Sequence, residues 1–280
     1  MHDVAIAALF AVFIWWFSTG LVMLLDGLPR GTFRWSLVVS TLLAVFATMG
    51  LLRAAQETSV AASYCGFTTA LLVWGWHELS FLTGWITGPR TAPSPAGSGL
   101  RARFGHALGA ILWHELAIAA VGIGLVILTW GAPNQVGTWT FLVLWAMRTS
   151  AKLNLFLGVR NPGDELLPKH LAYLGSFFRR RRMNLLFPFC IAGAGAVLAL
   201  IVQGVAGATQ QGEAVGLALV GTLLALAILE HVLLMLPIPT TALWQWALRH
   251  READPSAGAP LTRGPSHPTL RPADDRPCPP

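Results

Sequence analysis

Residues 71–80 read LLVWGWHELS and set His77 and Glu78 inside an apolar run long enough to cross a bilayer. The pair returns at His114 and Glu115 in LWHELA, and in reverse order at Glu230 and His231 in ILEHVL. An ionisable side chain at mid-bilayer costs about 3 kcal/mol or more unless it is paired or wet. Three such pairs in three apolar segments imply a membrane bundle whose polar groups have somewhere to meet.

Composition supports the membrane class. Of 280 residues, 54% are hydrophobic and 11% charged, against roughly a quarter charged in a soluble domain. The twelve Trp fit the same class, because indoles gather where hydrocarbon meets head groups. The net charge of +6 does not point to nucleic acid, since its Lys and Arg sit in short loops and a tail with no RNA- or DNA-binding module. Membrane lipid is the partner such loops imply. Cys65, Cys190 and Cys278 are too far apart for a C-x-x-C pair, so neither a disulfide framework nor a thiolate metal site is expected. The opening run, MHDVAIAALFAVFIWWFSTGLVMLLDG, lacks a basic start and is too long and bulky for a cleaved leader, so it reads as a retained span.

Seven segments approach the roughly 20 residues a crossing needs, at about 4–25, 33–52, 60–86, 105–130, 136–158, 185–206 and 214–236. The expected fold is therefore all-α, a polytopic transmembrane bundle over 1–250. The Pro-rich stretch 251–280 has almost no large apolar residues and is expected to be a disordered tail. Arg30, Arg34, Arg90, Arg101, Arg103, Arg160, Lys169, Arg179 to Arg182, Arg249 and Arg251 all fall on one side, with Arg53 nearly alone on the other. Basic residues favour the cytoplasm, which puts the N-terminus outside and the C-terminus inside. In the basic loop 159–184, Leu167, Leu171, Leu174 and Phe178 recur at helical spacing before four arginines. An amphipathic helix on the lipid surface is expected there.

Orientation gives depth. At about 1.5 Å per residue, His77 lies about 14 Å, His114 about 13 Å and Glu230 about 10 Å from the cytoplasmic ends of their spans. Arg148 and Lys152 of the fifth span, WAMRTSAKLNLFLG, lie about 15 and 9 Å from its end on the same rise. Four segments share one level, and a polar cavity in the cytoplasmic half follows.

Three readings of this layer stay open. His77, Glu78, His114, Glu115, Glu230 and His231 resemble in type the ligands of carboxylate-bridged di-iron bundles and suit one or two Fe ions, or Mn or Zn, although their spacing matches no ferritin or zinc-protease motif. Alternatively a buried His serves as axial ligand to a tetrapyrrole, to haem iron or by extension to a chlorophyll's magnesium. Arg148, Lys152 and Asn154 would then hold the carboxylate of a substrate or pigment, with Trp74, Trp76, Trp113 and Trp145 packing on the ring. The third reading is an ion-pair cluster that selects helix partners. No catalytic residue is assigned. Asp26 and Glu57 are expected in solvent, His106 at the interface, and His170 and Asn161 on the loop surface.

Three strings, GWHELSFLTGWITGPR, WAMRTSAKLNLFLGVRNPGDELLPKHLAYLGSFF and EHVLLMLPIPTTALWQWAL, resemble the photosynthetic complex assembly protein 2 family over about residues 1–250. That family is encoded in the photosynthesis gene clusters of purple and related bacteria, near the reaction-centre H subunit. The resemblance implies a part in assembling the reaction centre or core antenna, or in its bacteriochlorophyll supply, with complex subunits or pigment as partners. A metal-dependent redox enzyme acting on a tetrapyrrole intermediate is the alternative.

Overall fold

Ser59 starts the central element of the fold: its hydroxyl accepts the Ala62 N–H and caps helix α3 (Val60–Leu82). Ala62, Ser63, Gly66 and Ala70 alternate along α3 with Phe67, Leu71 and Trp74, so neighbouring helices can approach closely on several sides. Twelve of its 23 residues are buried, which makes α3 the axis of the bundle. Around it pack α1 (His2–Asp26), α2 (Phe33–Ala54), α5 (Val136–Leu157) and α7 (Gln211–Met235), with α4 (Leu100–Leu128) against α5 and more lightly against α3. Helix α6 (Leu186–Gly207) lies at the periphery on α7 and buries only Ala194. The structure, a computed structural model, describes residues 2–237, 244, 246 and 247, and the expected tail at 251–280 lies outside them.

The chain is all-helical among the described residues. Seven helices of 22 to 29 residues coincide with the seven expected segments. Five are long and apolar enough to cross a membrane: His2–Asp26, Arg30–Ala54, Leu100–Leu128, Leu186–Gly207 and Gln211–Met235. The two that fall short, α3 and α5, are the helices that hold most of the polar layer. Helix α3 is enclosed by its neighbours, with twelve residues buried, so its own composition need not be uniformly apolar.

Far from the basic loops, glycines set the helix spacing. A Cβ on Gly137 of α5 would stand 2.7 Å from Leu51 Cγ and 3.0 Å from the Gly66 carbonyl, and one on Gly212 of α7 would stand 1.9 Å from the Thr58 carbonyl. Ser63 Oγ donates to the Gly212 carbonyl at 2.8 Å in the same contact. Small residues that let backbones touch are the usual glue of membrane helices, where apolar burial alone gives no preference for protein over lipid.

The basic end departs from the sequence reading in three places. Helix α3 stops at Leu82 instead of running on to 86, and the following segment folds back on α4: the His114 N–H donates to the Thr87 carbonyl at 3.0 Å and the Arg90 N–H to Gly109 at 3.1 Å. Gly88 permits this contact, since a Cβ there would stand 2.2 Å from the Gly109 carbonyl. Second, the expected surface helix is a 3₁₀ run, Lys169–Phe177, whose buried residues Leu171, Leu174 and Phe177 recur every third position and pack on Phe81 and Ala110. Three residues per turn replaces 3.6, and the apolar face meets protein. Third, Asp26, expected in solvent, is only 5% exposed. His170 likewise reaches from the loop to the Leu82 carbonyl through Nε2 at 2.8 Å.

Candidate polar site in the bundle

Two ion pairs cross between helices at one level. Arg148 Nη2 donates to Glu78 Oε2 at 3.0 Å, joining α5 to α3. One turn further on, Lys152 Nζ donates to Glu115 Oε1, joining α5 to α4. The cations are four residues apart and so project from one side of α5. Of the residues expected at one depth, Arg148 and Lys152 pair with Glu78 and Glu115, the neighbours of His77 and His114. In the folded chain, Glu78 lies about 6 Å and Glu230 about 8 Å from the ends of their helices.

Glu230 joins them from α7. It lies within the field of Arg148, beside Trp15 of α1 in the wall of one cavity. Glu78, Arg148 and Glu230 line a cavity of about 190 Å³ between α1, α3, α5 and α7, with Trp15, Ser18 and Trp74 in its wall. Arg148 is 45% exposed in its side chain and Glu78 13%, so the guanidinium opens into this space while its partner carboxylate is enclosed. Glu78 Oε1 is buried with no hydrogen-bond partner among the described residues.

The three histidines do not join the carboxylates. His231 is 2% exposed, with Nδ1 at 2.9 Å from the Ala227 carbonyl and Nε2 at 2.9 Å from Ser150 Oγ. A carbonyl only accepts, so Nδ1 carries the proton and Nε2 accepts from the Ser150 hydroxyl. Both nitrogens are occupied. His77 and His114 are each 1% exposed, and none of their four ring nitrogens has a partner among the described residues. His77 lies against Trp76 and Phe141, with centroids at 5.0 and 5.9 Å, and His114 against Phe81 at 4.5 Å. Both occupy the region where α3, α4 and α5 meet, His114 within the fields of Lys152, Arg148 and His77.

The six residues expected as a ligand set, His77, Glu78, His114, Glu115, Glu230 and His231, are not gathered about one point. Among the described residues no three His, Cys, Asp or Glu side chains are grouped to hold a metal ion. Two carboxylates turn to cations, His231 turns to Ser150, and His77 and His114 sit among aromatic rings. Asn154 is fully buried, but its amide bonds the Ser150 carbonyl and Cys190 Sγ, and its oxygen accepts from Asn184. It ties α5 to the start of α6 and does not face the cavity.

Sequence reasoning missed Trp15, Ser150 and Asn184. Ser150 had a usable signal, a hydroxyl four residues before Asn154 in a charged span. Trp15 had none, being one of twelve Trp in an apolar run. Asn184 Oδ1 accepts the Leu186 and Phe187 N–H groups at 2.9 and 3.1 Å, a capping role that four preceding arginines concealed.

A protein of Rhodobacter capsulatus described as an uncharacterized 30.4 kDa protein in the puhA 5′ region is 37% identical over 252 residues, covering 89% of this chain and 92% of that one. No solved structure matches the chain. The family model described as protein of unknown function (DUF3623) matches residues 1–255, and the chain belongs to that family.

Proposed function

We propose that the protein is a seven-span factor of the bacterial inner membrane, N-terminus outside, that serves assembly of the photosynthetic reaction centre and core antenna or their bacteriochlorophyll supply. The observation that carries this reading is the near full-length similarity to a protein described by its position 5′ of puhA. A binding and scaffolding role is favoured over the redox-enzyme alternative because two carboxylates of the polar layer, Glu78 and Glu115, are paired with Arg148 and Lys152. A deletion strain grown phototrophically tests it. Normal pigment with depleted reaction-centre complexes is the expected result. Build-up of a single pigment precursor would move the role to pigment chemistry, and unchanged pigments and complexes would refute it.

His77 and His114 favour a pigment as the bound partner. A neutral imidazole offers one lone pair and one N–H, and leaving either unpaired in a buried site costs about 1–3 kcal/mol. An axial bond to a tetrapyrrole metal would use that lone pair. Protein purified from a pigmented host should carry visible absorbance that His77→Ala or His114→Ala removes. Colourless native protein from such a host speaks against it.

A further inference from the structure

Four helices each present a small residue to one cavity. Ser18 of α1, Gly75 of α3, Ala151 of α5 and Ala227 of α7 all line the space of about 190 Å³ into which the Arg148–Glu78 pair projects. At Gly137 and Gly212 the missing side chain lets helices touch, whereas a Cβ on Gly75 would meet nothing within 4 Å. Here the small residues leave room. A water takes about 30 Å³ of liquid, so the cavity holds about six waters or one small ligand.

The charges in its wall do not balance. Glu78, Glu230 and Arg148 are the ionisable groups that line it, two carboxylates to one guanidinium. Arg148 Nη2 donates to Glu78 Oε2 at 3.0 Å. Glu78 Oε1 is buried without a partner, and Glu230 forms no ion pair, among the described residues. The other cation of the layer, Lys152, is held by Glu115 and lies outside this wall. An ionised carboxylate only accepts, and a buried acceptor with no donor is costly. The wall therefore calls for a ligand that brings positive charge and N–H donors. A carboxylate ligand would instead set a third anion around one guanidinium. Ser18 Oγ donates to the Trp15 carbonyl at 3.2 Å, which leaves its lone pairs for such a donor. Trp15 and Trp74 add indoles to the same wall, and indole is the aromatic ring that attracts cations best.

We infer that this cavity binds a small organic ammonium ion, its N–H groups on Glu78 Oε1, Glu230 and Ser18 Oγ and its alkyl part against Trp15 and Trp74. The ligand completes the charge balance that Arg148 alone leaves unfinished. The site uses neither His77 nor His114 and does not depend on a pigment there.

Full-length protein in a non-ionic detergent at neutral pH, titrated with propylammonium chloride in a calorimeter, tests this. Propylammonium is charged there as a lysine side chain is and should saturate a single site on each chain. Sodium chloride, propanol and sodium propionate at matched concentrations should not. A hydrogen bond to a charged group is worth about tenfold or more in affinity, so Glu230→Gln and Glu78→Gln should each weaken binding by about tenfold or more. Gly75→Leu extends a side chain into open space and should abolish binding without lowering the melting temperature of the ligand-free protein. Glu213→Gln, in the first turn of α7 and far from the cavity, should leave binding unchanged. No saturable binding of propylammonium, equal binding of propanol or sodium, or undiminished binding by Glu230→Gln or Gly75→Leu would overturn the assignment.

Discussion

Neutralising Glu78 and Arg148 separately and together measures what the α3–α5 pair contributes. The contact is 3.0 Å, with side chains 13% and 45% exposed. Breaking a buried pair by removing one partner costs about 3–5 kcal/mol, and an exposed pair is worth about 0–1 kcal/mol. The half-open guanidinium places this pair between those limits, with a coupling of about 2 kcal/mol. Glu78→Gln leaves Arg148 with Glu230 in reach and should cost about 2 kcal/mol. Arg148→Met leaves Glu78 and Glu230 facing the same cavity without a cation and should cost about 3 kcal/mol. The double variant should then cost about 3 kcal/mol instead of the additive value of about 5. Unfolding by SDS titration in mixed micelles, followed by far-UV circular dichroism, gives all three values. A double variant that equals the sum of the singles within about 0.5 kcal/mol would refute the view that this pair ties the helices together.

Other perturbations separate packing from polar function. Asn184→Ala removes the cap of α6 and strands the buried Asn154 oxygen, so it should cost about 2–3 kcal/mol and speed proteolysis of the 178–185 loop. Gly212→Ala drives a methyl into the Thr58 carbonyl and should cost about 1–3 kcal/mol, read as a lower melting temperature, whereas Gly193→Ala enters open space and should leave it unchanged. Ser150→Ala removes one hydrogen bond from His231 and should cost about 1 kcal/mol while complementing the deletion strain fully. Failure to complement with normal folding would give His231 a part in function beyond holding α7 to α5.

The sequence made the helices legible because 20-residue apolar runs need no tertiary information. Helix rise also led to the expectation that Arg148 and Lys152 lie near the His-Glu pairs, and the ion pairs bring them together. Partner choice was not legible. His-Glu neighbours point about 100° apart on a helix, and which member faces the cavity depends on rotations that only packing sets. His77 therefore turned to Phe141 and Trp76 while Glu78 turned to Arg148. The 3₁₀ run was hidden for a similar reason. Leu171 and Leu174 serve a period of 3 or of 3.6 alike, and Phe177, not the expected Phe178, completes the face.

The two ion pairs differ in their consequence for the fold because α3 and α4 touch each other only lightly, whereas α5 packs against both. Arg148 reaches Glu78 on α3, and Lys152, one turn on, reaches Glu115 on α4. Cations on one helix thus hold carboxylates on two others, and the gap between α3 and α4 is set by α5. His77 and His114 lie on the flanks of that gap, their nitrogens unpartnered among the described residues. Holding α3 and α4 to α5 through charge, where breaking an ion pair costs several kcal/mol, fixes how the three helices sit around the two imidazoles. The two His-Glu neighbours of α3 and α4 thus divide in the same way: each Glu pairs with a cation of α5, and the ring nitrogens of the His beside it have no partner among the described residues.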